Sequence, residues 1–177
     1  FQIKQSTFLM MKVLIFIPAR GGSKGIKNKN LINLKGKPLI YYTLNTAKEL
    51  MKEPEYDWRT FISTDNKAIF NYCHDQGFNM QYKRPGNLSG DKSSIIDGVL
   101  HGIKWLKQNK SFVPDIIILL QPTSPIRKTS NIIEALLKHS NKKLNSVVSV
   151  TNMKEHPYEC VTISKKGWSY LAEPETK

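Results

Sequence analysis

A basic loop near the start of the chain has the residue types that phosphate binding requires. The apolar run that begins at Ile15 breaks at Pro18 into a loop that reaches Asn30 and contains three glycines. The loop also contains four cations, Arg20, Lys24, Lys27 and Lys29. Glycine lets the backbone approach an anion closely, and the cations neutralise the anion's charge. This composition is typical of a phosphate site, and it also fits a solvated basic loop.

The glycine spacing in this loop excludes two well-known phosphate-binding loops. The chain has neither a G-x-x-x-x-G-K-[ST] pattern nor a G-x-G-x-x-G pattern here. The loop is therefore neither a Walker loop nor a dinucleotide fingerprint. An apolar strand that ends in a glycine-rich basic loop is nevertheless how open α/β sheets present an anion site at the carboxyl end of a strand.

Three further polar segments, residues 63–65, 84–91 and 121–127, also follow predicted strands. Ligands of open α/β sheets bind outside the carboxyl ends of the strands, so we expect these segments to converge with the basic loop. Three of the four segments contain an arginine. Because most loops need no arginine, this convergence favours a binding site over coincidence.

Alternating strands and helices must position these segments. Apolar runs predict strands at 12–18, 59–63, 78–82, 114–121 and 145–151, and a hairpin at 161–171. Helical periodicity and capping residues predict helices at 39–51, 65–76, 91–109 and 130–139. Thr64 or Asp65 is predicted to cap the second helix, and Asn131-x-x-Glu134 to open the fourth. This alternation predicts an α/β fold with a doubly wound, mostly parallel sheet.

Composition and charge limit the function classes. A length of 177 residues predicts one domain, and 40% hydrophobic with 23% charged residues is typical of a globular protein. The net charge of +13 indicates an anionic partner, namely a nucleotide, a nucleic acid or a membrane surface, or else lysines spread over the solvated surface. The scattered lysines argue against a nucleic-acid tail, and the two cysteines, which lack metal-site spacing, favour a reducing cytoplasm.

Five segments, taken in order, resemble one family. They are PARGGSKGIKNKN from Pro18, GKP from Gly36, STD from Ser63, RP followed by L-S-x-D from Arg84, and LLQPTSPIR from Leu119. Over Val13 to about His156, the chain is similar to the acylneuraminate (CMP-N-acetylneuraminic acid) cytidylyltransferases, which include the legionaminic and pseudaminic acid enzymes. The related Kdo cytidylyltransferases differ, because their first loop lacks the SKG…KN pattern.

The resemblance implies a Rossmann-like enzyme that transfers CMP from CTP to a nine-carbon α-keto acid sugar and releases pyrophosphate with the help of Mg²⁺. It implies catalytic roles for Arg20 and Lys29. The nucleotide-binding residues that it implies are Arg20, Gly21, Gly22, Ser23, Lys24, Lys29, Asn30, Arg84 and Asp91. The sugar-binding residues that it implies are Gln121, Thr123 and Ser124.

Structural explanations compete with several of these assignments. Lys24 can be a solvated surface cation, and Arg84 can pair with Asp91. Gln121 can satisfy backbone groups at the end of a strand. Asp65 and Asp91 can be helix caps.

The resemblance also sets expectations for the ends of the chain. We expect residues 1–10 to be a tag or extension before Met11, residues 11–155 to form the nucleotide-binding domain, and residues 156–177 to begin an incomplete dimerisation and sugar-side element. Family members continue further, so we expect a C-terminally truncated piece with no metal ligands, whose magnesium aspartates lie beyond Lys177. We expect this piece to bind nucleotide but turn over poorly, and the full-length protein to be a cytoplasmic homodimer that binds neither nucleic acid nor membrane.

Two other functions stay open at this stage. One is a nucleotidyltransferase of the same sheet type that uses another base or sugar. The other is a basic, non-catalytic module that binds nucleic acid or a protein partner. That module would need clustered lysines and arginines beside exposed aromatic residues, and the sequence contains no such cluster.

Overall fold

The structure is a computed structural model that describes residues 10–22, 25–90, 93–150, 161–164 and 167–170. Its contacts divide the chain into two compact units, Phe1–Glu134 and Ala135–Lys177. Among the described residues, no helix is long and apolar enough to cross a membrane. The domain boundaries expected at 10/11 and 155/156 stay predictions.

Strands and helices alternate through the first unit. The elements are β1 (Lys12–Pro18), β2 (Asn33–Leu34), β3 (Lys37–Pro38), α1 (Leu39–Leu50), β4 (Asp57–Ser63), α2 (Lys67–Asp75), α3 (Ile95–Lys110), β5 (Ile116–Leu119) and α4 (Thr129–Asn141), which continues into the second unit. Two short 3₁₀ turns lie at Lys29–Leu31 and Gly86–Leu88. In the second unit, β6 (Val161–Ser164) and β7 (Gly167–Tyr170) form the antiparallel hairpin that the sequence predicts.

A parallel sheet in the order β4-β1-β5 organises the first unit. β1 pairs with both neighbours, so that Phe16 lies beside Phe61 of β4 on one side and Leu119 of β5 on the other. The chain moves to one side of β1 to form β4 and then crosses to the other side to form β5. This reversal creates a switch point at the carboxyl end of β1, where ligands bind in open α/β sheets. The predicted α/β fold with a parallel sheet is confirmed.

The core surrounds β1 on both faces. Residues 13–17 are all 0% exposed, and successive residues of a strand point to opposite faces. On one face, Leu14 and Phe16 cluster with Phe61 of β4 and with Leu106 of α3. Gly102 allows α3 to approach closely, because a Cβ there would lie 2.7 Å from Phe61 Cε1 and 2.8 Å from Phe16 Cε2. This packing fixes the distance between α3 and the sheet.

Two predicted strands are wrong. Residues 78–82 form an extended segment outside the sheet, although Phe78, Met80 and Tyr82 are buried in alternation. Their alternation reflects packing against the core and not pairing with a neighbouring strand. Residues 145–150 form no strand either, and Val148 and Val150 are 77% and 92% exposed. Thr151, the last residue of that predicted strand, lies outside the described residues.

Three helix starts also differ from the sequence prediction. α2 is capped by Asn66, whose Oδ1 accepts hydrogen bonds from the backbone of Ala68 and Ile69, and not by Thr64 or Asp65. α3 begins at Ile95, not at residue 91, because the Ser94 hydroxyl accepts a hydrogen bond from the Ile96 N–H at 3.0 Å. α4 begins at Thr129, so Asn131 lies inside the helix and does not open it.

Candidate functional site

A cavity of about 250 Å³ opens at the switch point of the sheet, within the first unit. Residues that follow β1 and β5 form two of its walls, and the segment from Arg84 to the start of α3 forms a third. The lining residues are Pro18, Arg20, Lys29, Asn30, Arg84, Leu88, Gly90, Ser93, Ser94, Ile95, Gln121, Pro122 and Thr123.

The cavity is lined by cations. Arg20, Lys29 and Arg84 all reach it, and no aspartate or glutamate is among the described residues that line it. A cleft lined by positive charges attracts an anionic ligand and raises its local concentration. The cavity is therefore chemically suited to a phosphate-bearing molecule.

Hydrogen bonds to the end of β4 hold the start of the basic loop. Ala19 N donates to Ser63 O at 2.9 Å, and Gly21 N donates to Asp65 Oδ1 at 2.8 Å. Inside the loop, the buried Asn30 donates from Nδ2 to Arg20 O at 2.9 Å. Asp65, which the sequence suggested as a helix cap, instead fixes the loop that presents Arg20.

Gly21 is required by the close approach of the loop to α2. A Cβ at this position would lie 2.7 Å from Asn66 Cβ, a distance that side chains essentially never reach. At Gly22, an added Cβ would meet no atom within 4 Å. The two glycines are adjacent in sequence, but the structure needs only the first of them for space.

Arg84 is a buried cation, only 7% exposed. Its Nε donates to Ser63 Oγ at 2.8 Å, and no carboxylate oxygen of the described residues lies within 4 Å of its guanidinium. Burial lowers the pKa of Arg84, Tyr82 and Asp65 raise it, and Arg20 lowers it further. An arginine nevertheless stays protonated in proteins, so the cavity wall contains a desolvated positive charge. A ligand that supplies acceptor atoms would offset the cost of that desolvation.

The loop after β5 is held by Arg127. Its Nη2 donates to the backbone oxygen of Gln121, and its Nη1 donates to Thr43 Oγ1 on α1 at 3.4 Å. Within the loop, Ser124 N donates to Gln121 O at 3.2 Å. Burial lowers the pKa of Arg127. These contacts fix the turn that presents Gln121 and Thr123 to the cavity.

Six of the predicted site residues line the cavity together. They are Arg20, Lys29, Asn30, Arg84, Gln121 and Thr123. Gly21, Gly22 and Ser124 lie in the same loops but are not among the lining residues. Ser23, Lys24 and Asp91 lie outside the described residues. The roles assigned to all these residues stay predictions.

Sequence reasoning missed the wall formed by the start of α3. Ser93, Ser94 and Ile95 line the cavity, and Gly90 O accepts a hydrogen bond from Arg20 Nη1 at 3.1 Å. A signal was present, because a serine immediately before an apolar run marks a helix start. The prediction placed that start at residue 91, and the serines were therefore assigned to the helix.

The described residues that line the cavity include no carboxylate ligand for magnesium. Among them, no group of three or more His, Cys, Asp or Glu side chains is arranged to hold a metal ion. Mg²⁺ prefers oxygen ligands and is usually held by one or two carboxylates together with substrate phosphates. The described cavity lining provides no such carboxylate.

Comparison with known proteins assigns the chain to a family. A family profile described as Cytidylyltransferase matches residues 14–164. The N-acylneuraminate cytidylyltransferase of Streptococcus agalactiae serotype III (strain NEM316) is 35% identical over 159 residues, which are 90% of this chain and 37% of that protein. The CMP-N,N'-diacetyllegionaminic acid synthase of Legionella pneumophila (strain Philadelphia 1) is 36% identical over 165 residues, which are 93% of this chain and 68% of that protein.

Other similarities agree with this assignment. The pseudaminic acid cytidylyltransferase of Campylobacter jejuni (strain 81-176) is 31% identical over 149 residues, 84% of this chain and 62% of that protein. A solved structure of CMP:2-keto-3-deoxy-manno-octonic acid synthetase complexed with CTP shares the fold, with a TM-score of 0.57 and 22% identity over 75% of this chain and 48% of that chain. The chain spans little more than a third of the length of the streptococcal relative. It belongs to the cytidylyltransferase family, among relatives that include the N-acylneuraminate, legionaminic acid and pseudaminic acid enzymes.

Proposed function

We propose that this chain binds CTP and is part of an enzyme that transfers CMP to a nine-carbon α-keto acid sugar, with release of pyrophosphate. The observation that supports this most directly is the cavity lined by Arg20, Lys29 and Arg84 at the switch point of the sheet. The family assignment supports it independently. A triphosphate is the most highly charged part of CTP, and these cations offer it compensating charge.

In this proposal, the cations and the two loops bind different parts of the two substrates. Arg20 and Lys29 hold the phosphates and stabilise the charge that develops in the transition state. Arg84 lies beside the base, and Gln121 and Thr123 contact the sugar acid. Holding both reactants in one cavity favours the in-line geometry that the transfer requires.

The transfer exchanges one bond to phosphorus for another. The anomeric hydroxyl oxygen of the sugar forms a bond to the α-phosphorus of CTP. The bond between that phosphorus and the oxygen that bridges to the β-phosphate breaks, and pyrophosphate leaves with the electron pair. The hydroxyl proton is released to water.

Magnesium enters this proposal with the nucleotide. When bound together with the nucleotide, Mg²⁺ would supply further charge neutralisation for the leaving pyrophosphate. The described residues add cations to that charge balance but no carboxylate ligand. We therefore expect the ion to depend mainly on the triphosphate for its coordination within this chain.

We also propose that the enzyme acts in the cytoplasm, where CTP is synthesised, and that it works as a homodimer. Sedimentation equilibrium of the purified full-length protein tests the second point. A monomer at all concentrations up to the micromolar range would reject the homodimer.

Nucleotide selectivity is the first test of the proposed function. Thermal unfolding is measured with Mg²⁺ and each of CTP, UTP, ATP and GTP. A ligand at 100 times its dissociation constant adds about 2.7 kcal/mol of stability, which for a chain of this size raises Tm by roughly 5–10 °C. We expect this rise with CTP alone. A rise with a different nucleotide, or with none, would reject CTP as the ligand.

Pyrophosphate release then tests the transfer itself. The full-length protein is mixed with CTP, Mg²⁺ and, in separate reactions, sialic, legionaminic or pseudaminic acid. Release that depends on one of the three sugar acids identifies the substrate. Release that is the same without any sugar acid would indicate hydrolysis and contradict the transfer.

A further inference from the structure

Behind Arg84, a row of polar side chains runs away from the cavity into the core. Arg84 Nε donates to Ser63 Oγ at 2.8 Å, and Tyr82 Oη lies 2.9 Å from His101 Nδ1 on α3. Ser63 is 0% exposed and Tyr82 is 5% exposed. Polar groups buried this deeply must satisfy one another, because they cannot exchange partners with water.

The chemistry of each group sets the direction of the hydrogen bonds. A guanidinium has donors only, so Ser63 Oγ must accept from Arg84. Burial raises the pKa of Tyr82, whereas a side-chain hydrogen bond with Ser63 and the charge of Arg84 lower it. Because Ser63 Oγ accepts from Arg84, its own proton is available for donation to Tyr82 Oη.

The row then ends at His101. If Tyr82 Oη accepts from Ser63, it donates its own proton to His101 Nδ1, which lies 2.9 Å away. This order requires the histidine tautomer whose proton is on Nε2. In this order, each group from Arg84 to Tyr82 donates to the next one towards His101, and hydrogen bonds in such a chain strengthen one another.

This order restricts Arg84 in particular. An arginine side chain loses rotamer entropy when it is held in one conformation. Ser63 holds the Nε, and a Cβ added at Gly98 would be in ordinary van der Waals contact with Arg84 Nη2, at 3.9 Å. Arg84 is thus held at the wall of the cavity that it lines.

We propose that Ser63, supported by Tyr82 and His101, is a positioning residue that holds the Arg84 guanidinium ready for the ligand before the ligand arrives. Ligand binding then does not have to order Arg84, and affinity increases accordingly. The effect on affinity rests on the proposed CTP function, whereas the hydrogen-bond order does not.

Nitrogen-15 NMR of the nucleotide-free protein tests the order itself. The Arg84 Nε–H signal is assigned by its loss in Arg84→Met. We expect Ser63→Ala to shift this signal and to speed its exchange with water, and Tyr82→Phe to shift both it and the His101 ring nitrogens. The matched control, Tyr56→Phe, should leave all of them in place. An Arg84 signal that Ser63→Ala does not change would overturn the proposal.

Calorimetric titration with CTP and Mg²⁺ tests the consequence for binding. We expect Ser63→Ala to weaken CTP binding about tenfold in the otherwise unchanged protein. In the Arg84→Met background the same substitution should weaken it less than about twofold, because its effect acts through Arg84. A purely structural effect of Ser63 would give the same factor in both backgrounds and would overturn the positioning role.

The two measurements separate this proposal from the proposed function. If the unchanged protein does not bind CTP but the NMR signals respond as expected, the CTP function fails and the positioning of Arg84 stands. If CTP binds but Ser63→Ala weakens its binding by the same factor in both backgrounds, the positioning role of Ser63 is rejected and the CTP function stands. If Ser63→Ala does not fold, Tyr82→Phe, which keeps the ring in the core, takes its place in the comparison of the two backgrounds.

Discussion

Arg20 and Arg84 line the same cavity, but the protein holds them in different ways. Arg20 lies in a loop, is partly exposed and donates to the backbone of Gly90. Arg84 lies in an extended buried segment and donates to the fully buried Ser63. Arg20 is partly exposed to water, whereas burial desolvates Arg84. The protein therefore loses less stability by desolvating Arg20 than by desolvating Arg84, which is preorganised for the ligand.

The largest effect is expected for Arg20→Ala. Removing a loop cation that contacts phosphate should weaken CTP binding by about 100-fold or more, while the free energy of unfolding changes by less than about 0.5 kcal/mol. Calorimetric titration and urea unfolding measure the two quantities. Arg59→Ala removes the same charge from an exposed position of β4 and serves as the control. Normal CTP binding by Arg20→Ala would show that the loop assignment is wrong.

Substitution at the two glycines beside Arg20 tests how the loop is anchored. Gly21→Ala places a Cβ against Asn66 and should cost about 1–3 kcal/mol of unfolding free energy, as overpacking usually does. Gly22→Ala, where there is open space, is the matched control and should cost only a few tenths of a kcal/mol. Urea unfolding of both variants gives the comparison. Equal costs would contradict the close contact between the loop and α2.

Arg84→Met tests the buried arginine in this comparison. We expect CTP binding to weaken about tenfold, because charged hydrogen bonds to the ligand are lost. Stability should stay within about 1 kcal/mol or rise, because an apolar side chain replaces a desolvated charge. The measurements are again titration and urea unfolding. A loss of more than roughly 3 kcal/mol would mean that the Arg84 charge is itself a main support of the core, against this comparison.

The smallest effect is expected at Arg127, which holds the cavity wall after β5 indirectly. Arg127→Lys keeps the charge but loses the planar fork that reaches both Gln121 O and Thr43 Oγ1. We expect a loss of about 0.5–1.5 kcal/mol of unfolding free energy. Lys128→Arg, at the exposed neighbouring position, is the control. A stability equal to that of the unchanged protein would show that these hydrogen bonds do not hold the loop.

The sequence predicted the parts of the site in which local pattern and structure coincide. Consecutive apolar residues predicted β1, and polar residues after β1 and β5 predicted two walls of the cavity. The prediction failed at residues 78–82, where an alternating pattern arises from burial without strand pairing. It failed again at the third wall, because the helix start at Ser94 depends on one side-chain hydrogen bond that several nearby polar residues could have provided.

By itself, the sequence determined the family, the parallel α/β fold and the presence of cations in the loops after the strands. These properties follow from short-range patterns of apolar, glycine and basic residues. Only the tertiary structure decided that Arg84 is buried, that Ser63 receives its Nε–H, and that Gly21 must be a glycine. Each of these depends on groups far apart in the chain, such as Gly21 and Asn66, whose separation is set by how α2, α3 and the sheet pack together.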